Sequence, residues 1–313
     1  MNDTQLSYYD HNVLRLEGKD RTTYHGQVDR LISALTKSLH AETNFKVKRV
    51  IKAGSFAKHT ILRRGEGRSV DVDVAFYLSD KDVEKEDLAS LNDQIYNFLV
   101  AQYPSKKVED FEIQRRAAKV TFVGSGLDVD IVPIIEIPDQ PDYGWQFGTD
   151  GSKVLTNVPG QLTFIKDRKK KDKYFRSLVR LAKQWRHYND VPGLKGYSIE
   201  LIVAYLLDKN GTGESLEQRL THFLWYLADS ALNEIISFPE NNGNIGTFTE
   251  PVKIVDPVNG KNNVGARISE DERKAVAKKA EESWETVHFA SAEEDLEIWK
   301  EVFGPRFKTK ADQ

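Results

Sequence analysis

The sequence predicts an α+β protein: a mixed α/β lobe over residues 1–160, then a helical lobe over residues 161–313, with a cleft between them. Three observations lead there. The first half interleaves helical and strand periodicities. From about Gln161 onward the apolar residues recur almost wholly at helical spacing. The chain has 313 residues, which is long for a single core and suits one large domain or two lobes.

Residues 20–39 carry one apolar stripe, Tyr24, Val28, Leu31, Ile32, Leu35 and Leu39, and are expected to be a helix. Residues 45–51 alternate as a strand, Gly54-Ser55 interrupts it, and a short helix is expected from Phe56. Residues 70–78 read as a strand. Val70, Val72 and Val74 point to one side, and Asp71 and Asp73 to the other. Residues 83–103 read as a helix, with Leu91, Ile95, Phe98 and Leu99 on one side. Residues 111–122 and 127–135 read as strands joined by the turn Gly124-Ser125-Gly126.

In the second half, Phe175, Leu178, Val179, Ala182 and Trp185 form a helical stripe. Residues 197–207 are nearly all apolar and predict a buried helix, and residues 217–236 predict another. Residues 241–266, rich in Gly, Asn and Pro, read as a connection. Ser269 with Glu272 forms a capping box for the next helix. Trp299, Val302 and Phe303 close the last apolar face, and residues 308–313 read as a loose tail.

Composition excludes several functions. Hydrophobic residues make up 39% and charged residues 30%, an ordinary globular mix. No stretch approaches the roughly 18 apolar residues of a membrane span, and residues 1–20 lack the apolar segment of a secretion signal, so a cytoplasmic location is expected. There are 0 cysteines, which removes disulfides, thiolate nucleophiles and cysteine-based zinc sites. The net charge of −3 gives no global pull toward nucleic acid or membrane. The densest basic run, residues 166–173, reads first as a solvated helix start and second as a phosphate-contacting patch.

The candidate chemistry lies in four pieces. Gly54-Ser55 is by itself only a turn, although glycine lets backbone approach a phosphate closely. Asp71-Val72-Asp73 places two carboxylates on one strand face, about 6.5–7 Å apart at the backbone. Such a pair suits one hard cation, but it also suits a wet polar face, and it does not name a reaction. Leu127-Asp128-Val129-Asp130-Ile131-Val132-Pro133 repeats the arrangement. Two strands that each set two acids against valines invite compensation of crowded charge by divalent metal. Three such carboxylates can hold two Mg²⁺, with Mn²⁺ as an alternative, for phosphoryl transfer. The fourth piece is a basic row, Arg176, Arg180, Lys183 and His187, opposite the apolar stripe of its helix. It reads either as a solvated face or as a clamp on triphosphate oxygens.

Taken in order, these motifs resemble the polymerase-β-type nucleotidyltransferases. Arg180-Leu181-Ala182-Lys183-Gln184-Trp185, Tyr197-Ser198-Ile199-Glu200-Leu201, Asp256-Pro257-Val258-Asn259 and Asn262-Asn263 extend the likeness to the oligoadenylate-synthase-like branch. Within it the chain is most similar to the bacterial CD-NTases, clade C in particular. The resemblance spans roughly residues 48–303. It implies a two-lobed enzyme of CBASS anti-phage defence that makes a cyclic oligonucleotide from ATP or other nucleoside triphosphates, for clade C a cyclic tri-adenylate. It further implies a HORMA-domain regulatory partner. By position, Asp71, Asp73 and Asp130 become the metal ligands and catalytic acids. Gly54 and Ser55 become phosphate contacts, and Lys183 and Ser198 nucleotide contacts. Residues 63–69 form a longer, glycine-richer loop than the family pattern, expected to be mobile and, with the run at 166–173, a candidate surface for an activating nucleic acid. The lack of cysteine departs from the zinc insert of the animal DNA-sensing relatives. The alternatives are a linear oligoadenylate synthase, a tRNA-end-adding or antibiotic-modifying nucleotidyltransferase, and a catalytically silent module that kept the fold.

Overall fold

The computed structural model describes residues 3–65, 68–79, 88, 90–293 and 297–309. They form two compact units, one of residues 16–162 and one joining residues 1–15 to residues 163–313. The sequence division at 160 put the N-terminus in the first lobe; the structure groups it with the helical unit instead. The chain begins there with α1 (Asp3–Tyr9) and a π-helical turn at Asp10–Leu14.

The unit of residues 16–162 is built on a seven-stranded mixed sheet. Its strands are β1 (Val47–Lys52), β2 (Val70–Leu78), β3 (Phe111–Ile113), β4 (Ala118–Phe122), β5 (Leu127–Glu136), β6 (Gly144–Phe147) and β7 (Lys153–Thr156). The main path runs β1-β2-β5-β4-β3, with β6 pairing to β5 and β7 to β6. β2 and β5 run parallel, and the other pairings are antiparallel. The helices are α2 (Gly18–Glu42), α3 (Gly54–Lys58) and α4 (Leu91–Gln102). Strand alternation sends Val70, Val72, Val74, Leu127, Val129 and Ile131 into one apolar core. There they meet Tyr24, Val28, Leu31 and Leu35 of α2 and Leu91, Ile95 and Leu99 of α4. Burying each such side chain is worth about 1.5–3 kcal/mol, so the valine faces fix the strand register and the acids must take the other side.

Two expectations for this unit need correction or limits. Residues 111–122 are not one strand: the chain turns at Gln114–Ala117, where Gln114 N–H donates to the Ala117 carbonyl (2.8 Å), and β3 and β4 form a hairpin. Of the expected helix at 83–103, residues 83–87 and 89 lie outside the described residues.

α5 (Val158–Lys171) carries the chain from one unit to the next; Asn157 Oδ1 caps it by accepting from Gly160 N–H (2.7 Å). The helical unit continues with α6 (Phe175–Tyr188), α7 (Gly196–Asn210), α8 (Leu216–Ser230), α9 (Glu270–Glu293) and α10 (Trp299–Phe303). The Ser269–Glu272 capping box forms at the start of α9, with Glu272 Oε2 accepting from Ser269 N–H (2.8 Å). The N-terminal turn is tied to α6 by Asp10, which accepts from Arg180 Nε and Nη2 (2.6 Å each) and from Ser177 Oγ (2.7 Å).

Three readings of this unit change. The helix expected over 217–236 stops at Ser230, because Ala231 and Leu232 take left-handed φ values of 44° and 54°. The connection at 241–266 contains strands. β8 (Ile235–Ile236), β9 (Lys253–Asp256) and β10 (Asn259–Asn263) make a small sheet, anchored by fully buried Val252, Ile254 and Val255. The tail is not loose up to Thr309: Phe307 is buried against Tyr9 (4.8 Å between ring centroids) and Phe303 (5.6 Å), and Thr309 is buried. Residues 310–313 lie outside the described residues.

Candidate active site

The acids meet because of the β2/β5 register. Parallel pairing sets Asp71 beside Asp128 and Asp73 beside Asp130. β4 lies antiparallel on the far side of β5 and sets Thr121 beside Asp128 and Lys119 beside Asp130. Four carboxylates and one ammonium therefore share the sheet face opposite the valine core. Asp71, Asp73 and Asp130 each offer an oxygen within 4.8 Å of the others. Asp128 stands slightly apart. It accepts from Ser69 Oγ (2.6 Å) and pairs with Lys119 Nζ (3.5 Å), which also lies 3.9 Å from Asp130 Oδ1. Gln114 Nε2 donates to Asp130 Oδ1 (3.4 Å).

The crowding registers in the acidities. Asp71 keeps an exposed face, yet enough protein surrounds its carboxyl that desolvation leads in raising its pKa to about 8, followed by the charges of Asp73 and Asp130. Asp130 is raised to about 6, first by burial and then by Asp73 and Asp128, with Lys119 opposing. Burial pulls the Lys119 ammonium down, but Asp130, Asp71 and Asp128 outweigh it and its pKa ends raised. Three hard oxygen donors that repel one another suit a hard divalent cation such as Mg²⁺ or Mn²⁺, which restores their ionised form.

Gly54 completes the arrangement. It opens α3 at φ +59°, and a Cβ on it would stand 1.6 Å from Asp73 Oδ2. Ala53 N–H donates to the Asp73 carbonyl (2.7 Å), so the Gly54-Ser55 turn is pinned to the strand that bears the first two acids. Ser55 follows on α3, with its carbonyl accepting from Thr60 N–H (3.0 Å) and Ile61 N–H (3.2 Å). The loop at 63–69 is tied down at several points. Arg63 pairs with Glu17, Arg68 Nη2 donates to the Arg63 carbonyl (2.9 Å), and Ser69 bonds Asp128; residues 66 and 67 lie outside the described residues. The expected mobile loop is thus anchored to the acid cluster at one end.

Lys183 and Ser198 belong to the helical unit. The basic row of α6 is solvated only in part: His187 is exposed and Arg176 half-buried. Arg180 and Lys183 are buried, and Lys183 Nζ donates to the buried Glu200 Oε1 (2.6 Å). Gly196 lies against the Lys183 side chain, 3.2 Å from Cε to the place of a Cβ. Ser198 is 1% exposed on α7, and its hydroxyl makes no hydrogen bond among the described residues. The basic run at 166–173 also divides. Arg168 is buried, bonded to Asp208 (2.6 Å) and Glu240 and stacked on Phe164, whereas Lys166, Lys169, Lys170, Lys171 and Lys173 are exposed. Sequence reasoning gave no role to Lys119 or Gln114, and took in Ser69 and Glu200 only as members of a loop and a motif. Lys119 left a faint signal, as the charged position of the alternation Ala118-Lys119-Val120.

Residues 5–150 match the Second Messenger Oligonucleotide or Dinucleotide Synthetase domain family. The chain is 56% identical over 311 residues to a CBASS oligonucleotide cyclase, CdnC, of Escherichia coli (strain KTE188), covering 99% of this chain and 98% of that protein. It is 35% identical over 295 residues to a cyclic AMP-AMP-AMP synthase of Escherichia coli (strain MS 115-1), covering 90% of each. The structure of E. coli MS115-1 CdnC with ATP superposes with a TM-score of 0.82 at 32% identity, over 98% of this chain and 99% of that one. Vibrio cholerae DncV in complex with a linear intermediate shares the fold, with a TM-score of 0.73 at 15% identity, over 98% of this chain and 97% of that one. No described helix is long and apolar enough to cross a membrane. An acid cluster on a mixed sheet, a glycine turn pressed against it, and near full-length likeness to oligonucleotide cyclases together place the chain in the bacterial CD-NTases, the nucleotidyltransferases that make cyclic oligonucleotide second messengers in CBASS defence.

Proposed function

We propose that this enzyme uses ATP to make cyclic tri-adenylate. The observation that carries the catalytic part is the convergence of Asp71, Asp73 and Asp130, with Gly54 against Asp73. The choice of product is supported by the relative named a cyclic AMP-AMP-AMP synthase and by the ATP-bound CdnC structure. In this reading Asp71, Asp73 and Asp130 hold two divalent ions. When bound, these ions supply activation of the attacking hydroxyl and neutralisation of the leaving pyrophosphate. The chain's own residues bind and orient. Gly54 and Ser55 present backbone to the phosphates. Lys183 offers a charge-assisted contact to the triphosphate after leaving Glu200, and the unbonded Ser198 hydroxyl meets the nucleotide. The likeness to a CdnC solved in complex with a HORMA protein supports a HORMA-domain partner, with a TM-score of 0.82 at 32% identity.

The test incubates the purified enzyme with ATP, and with all four nucleoside triphosphates, in Mg²⁺ or Mn²⁺. It is run with and without a HORMA-domain protein and DNA. Phosphatase-resistant products are then weighed by mass spectrometry. Cyclic tri-adenylate, absent with the Asp71→Asn/Asp73→Asn enzyme, is the expected result. Linear oligoadenylates under every condition overturn cyclisation, and a cyclic dimer or a guanine-containing ring overturns the product alone.

A further inference from the structure

One cation already lives in the acid cluster. Lys119 projects from β4 on the same sheet face as the four aspartates and sits directly across from Asp130 in the strand register. Its Nζ lies 3.5 Å from Asp128 Oδ2 and 3.9 Å from Asp130 Oδ1. The same oxygen, Asp128 Oδ2, accepts from Ser69 Oγ at 2.6 Å, and the second oxygen, Oδ1, is buried without a hydrogen-bond partner among the described residues. Asp128, which is not among the three convergent carboxylates, holds the ammonium. A divalent ion bound by Asp71, Asp73 and Asp130 shares Asp130 with this ammonium, and like charges so close repel.

We propose that Lys119, held by Asp128, is a positioning residue that partly neutralises the acid cluster before nucleotide arrives and keeps divalent-metal affinity low in the nucleotide-free enzyme. The triphosphate brings the negative charge that offsets the ammonium, so tight metal binding is coupled to substrate binding. The two contacts of Lys119 have opposite consequences. Removing Lys119 lifts repulsion from the metal site and exposes the acids to one another. Removing the Asp128 charge shifts the ammonium's pairing toward Asp130, in direct competition with the metal. The inference rests on the metal assignment of the triad.

The experiment measures Mn²⁺ binding to nucleotide-free enzyme by electron paramagnetic resonance and calorimetry, and melting temperature in chelator. Wild type, Lys119→Met, Lys119→Arg and Asp128→Asn are compared, with Asp71→Asn/Asp73→Asn as the control. Changes around metal ligands typically move affinity by about 10–100-fold. Lys119→Met is expected to bind Mn²⁺ about tenfold tighter while melting lower in chelator, and Lys119→Arg to stay near wild type. Asp128→Asn, the second arm should Lys119→Met not fold, is expected to bind Mn²⁺ more weakly. A purely structural lysine would lower both affinity and stability. Unchanged or weaker binding in folded Lys119→Met, or unchanged or tighter binding in Asp128→Asn, overturns the proposal. Mn²⁺ binding that persists in the Asp71→Asn/Asp73→Asn control overturns the triad assignment instead, and the inference with it.

Discussion

Gly54 and Asp73 are in direct contact: a methyl group on the glycine would stand 1.6 Å from the carboxylate Oδ2. The glycine also sits at φ +59°, where an L side chain costs about 1–2 kcal/mol. Gly54→Ala must therefore move Asp73 or the turn. Misplacing a reacting group by about 1 Å can cost a hundredfold in rate. The expected outcome is a loss of at least about a hundredfold in product formation with a modest fall in melting temperature. Near wild-type synthesis by Gly54→Ala would show that the close approach does not position Asp73.

The raised acidities give a pH signature to the metal-free enzyme. Asp71, at about 8, and Asp130, at about 6, both stand above the ordinary carboxylate value of 3.8. The folded state then holds protons that the unfolded chain releases. Their contribution to stability is complete below the unfolded value and is lost as pH rises through about 6 and about 8. In chelator, these two groups are expected to lower the melting temperature from about pH 4 to 8, and Asp71→Asn to flatten that slope and melt higher at the alkaline end. Each kcal/mol of relieved repulsion corresponds to roughly 2–4 °C. Thermal melts across pH provide the check. Asp71→Asn/Asp73→Asn is expected to stay folded and make no product.

Asp130 and Asp128 occupy one strand face but have different neighbours. Asp130→Asn is expected to be inactive, because it removes one of the three convergent carboxylates. Asp128→Asn is expected to keep measurable activity, since its carboxylate is engaged by Ser69 and Lys119. Initial rates of pyrophosphate release compare the two; an equal loss would assign Asp128 an essential role in turnover.

Lys183 serves folding as well as any substrate. Its ammonium is paired in the interior with Glu200 at 2.6 Å. Lys183→Ala takes the ammonium from that buried carboxylate, and breaking a buried ion pair typically costs about 3–5 kcal/mol. A clamp on triphosphate oxygens predicts a mainly functional loss; burial adds a large structural one. Lys183→Met/Glu200→Leu removes both charges and is expected to recover most of the stability. A remaining loss of about tenfold to a hundredfold in kcat/KM in that double variant measures the phosphate contact, worth about 1.5–3 kcal/mol. Full activity in the stable double variant would remove Lys183 from the nucleotide site.

Much of the acid cluster was legible in the sequence, because strand alternation is strict. Once Val70, Val72 and Val74 are buried, Asp71 and Asp73 have only one face left, and the same holds for Asp130 against Val129 and Ile131. Lys119 was not legible, because its place beside Asp130 depends on which strand lies next to β5, a long-range fact that periodicity does not carry. The same limit hid Glu200 and Asp10. A helix pattern shows that Lys183 and Arg180 lie off the main apolar stripe, but not that another segment brings a carboxylate to meet them. The strands Lys253–Asp256 and Asn259–Asn263 were masked by their turn-rich composition, which outweighed a short run of buried Val and Ile.

The π-helical turn at Asp10–Leu14 has a consequence for synthesis on the ribosome. Through Asp10 it is bonded to Arg180 and Ser177, so the helical unit draws on segments to either side of residues 16–162. The acid-bearing unit, residues 16–162, is an insertion within it. That unit has its whole sequence once residue 162 emerges, and can fold while translation continues. Asp10 must wait until Ser177 and Arg180 of α6 have been made, and Tyr9 until Phe303 and Phe307 have. The acid cluster can thus form well before the segment around Asp10 is fixed in place.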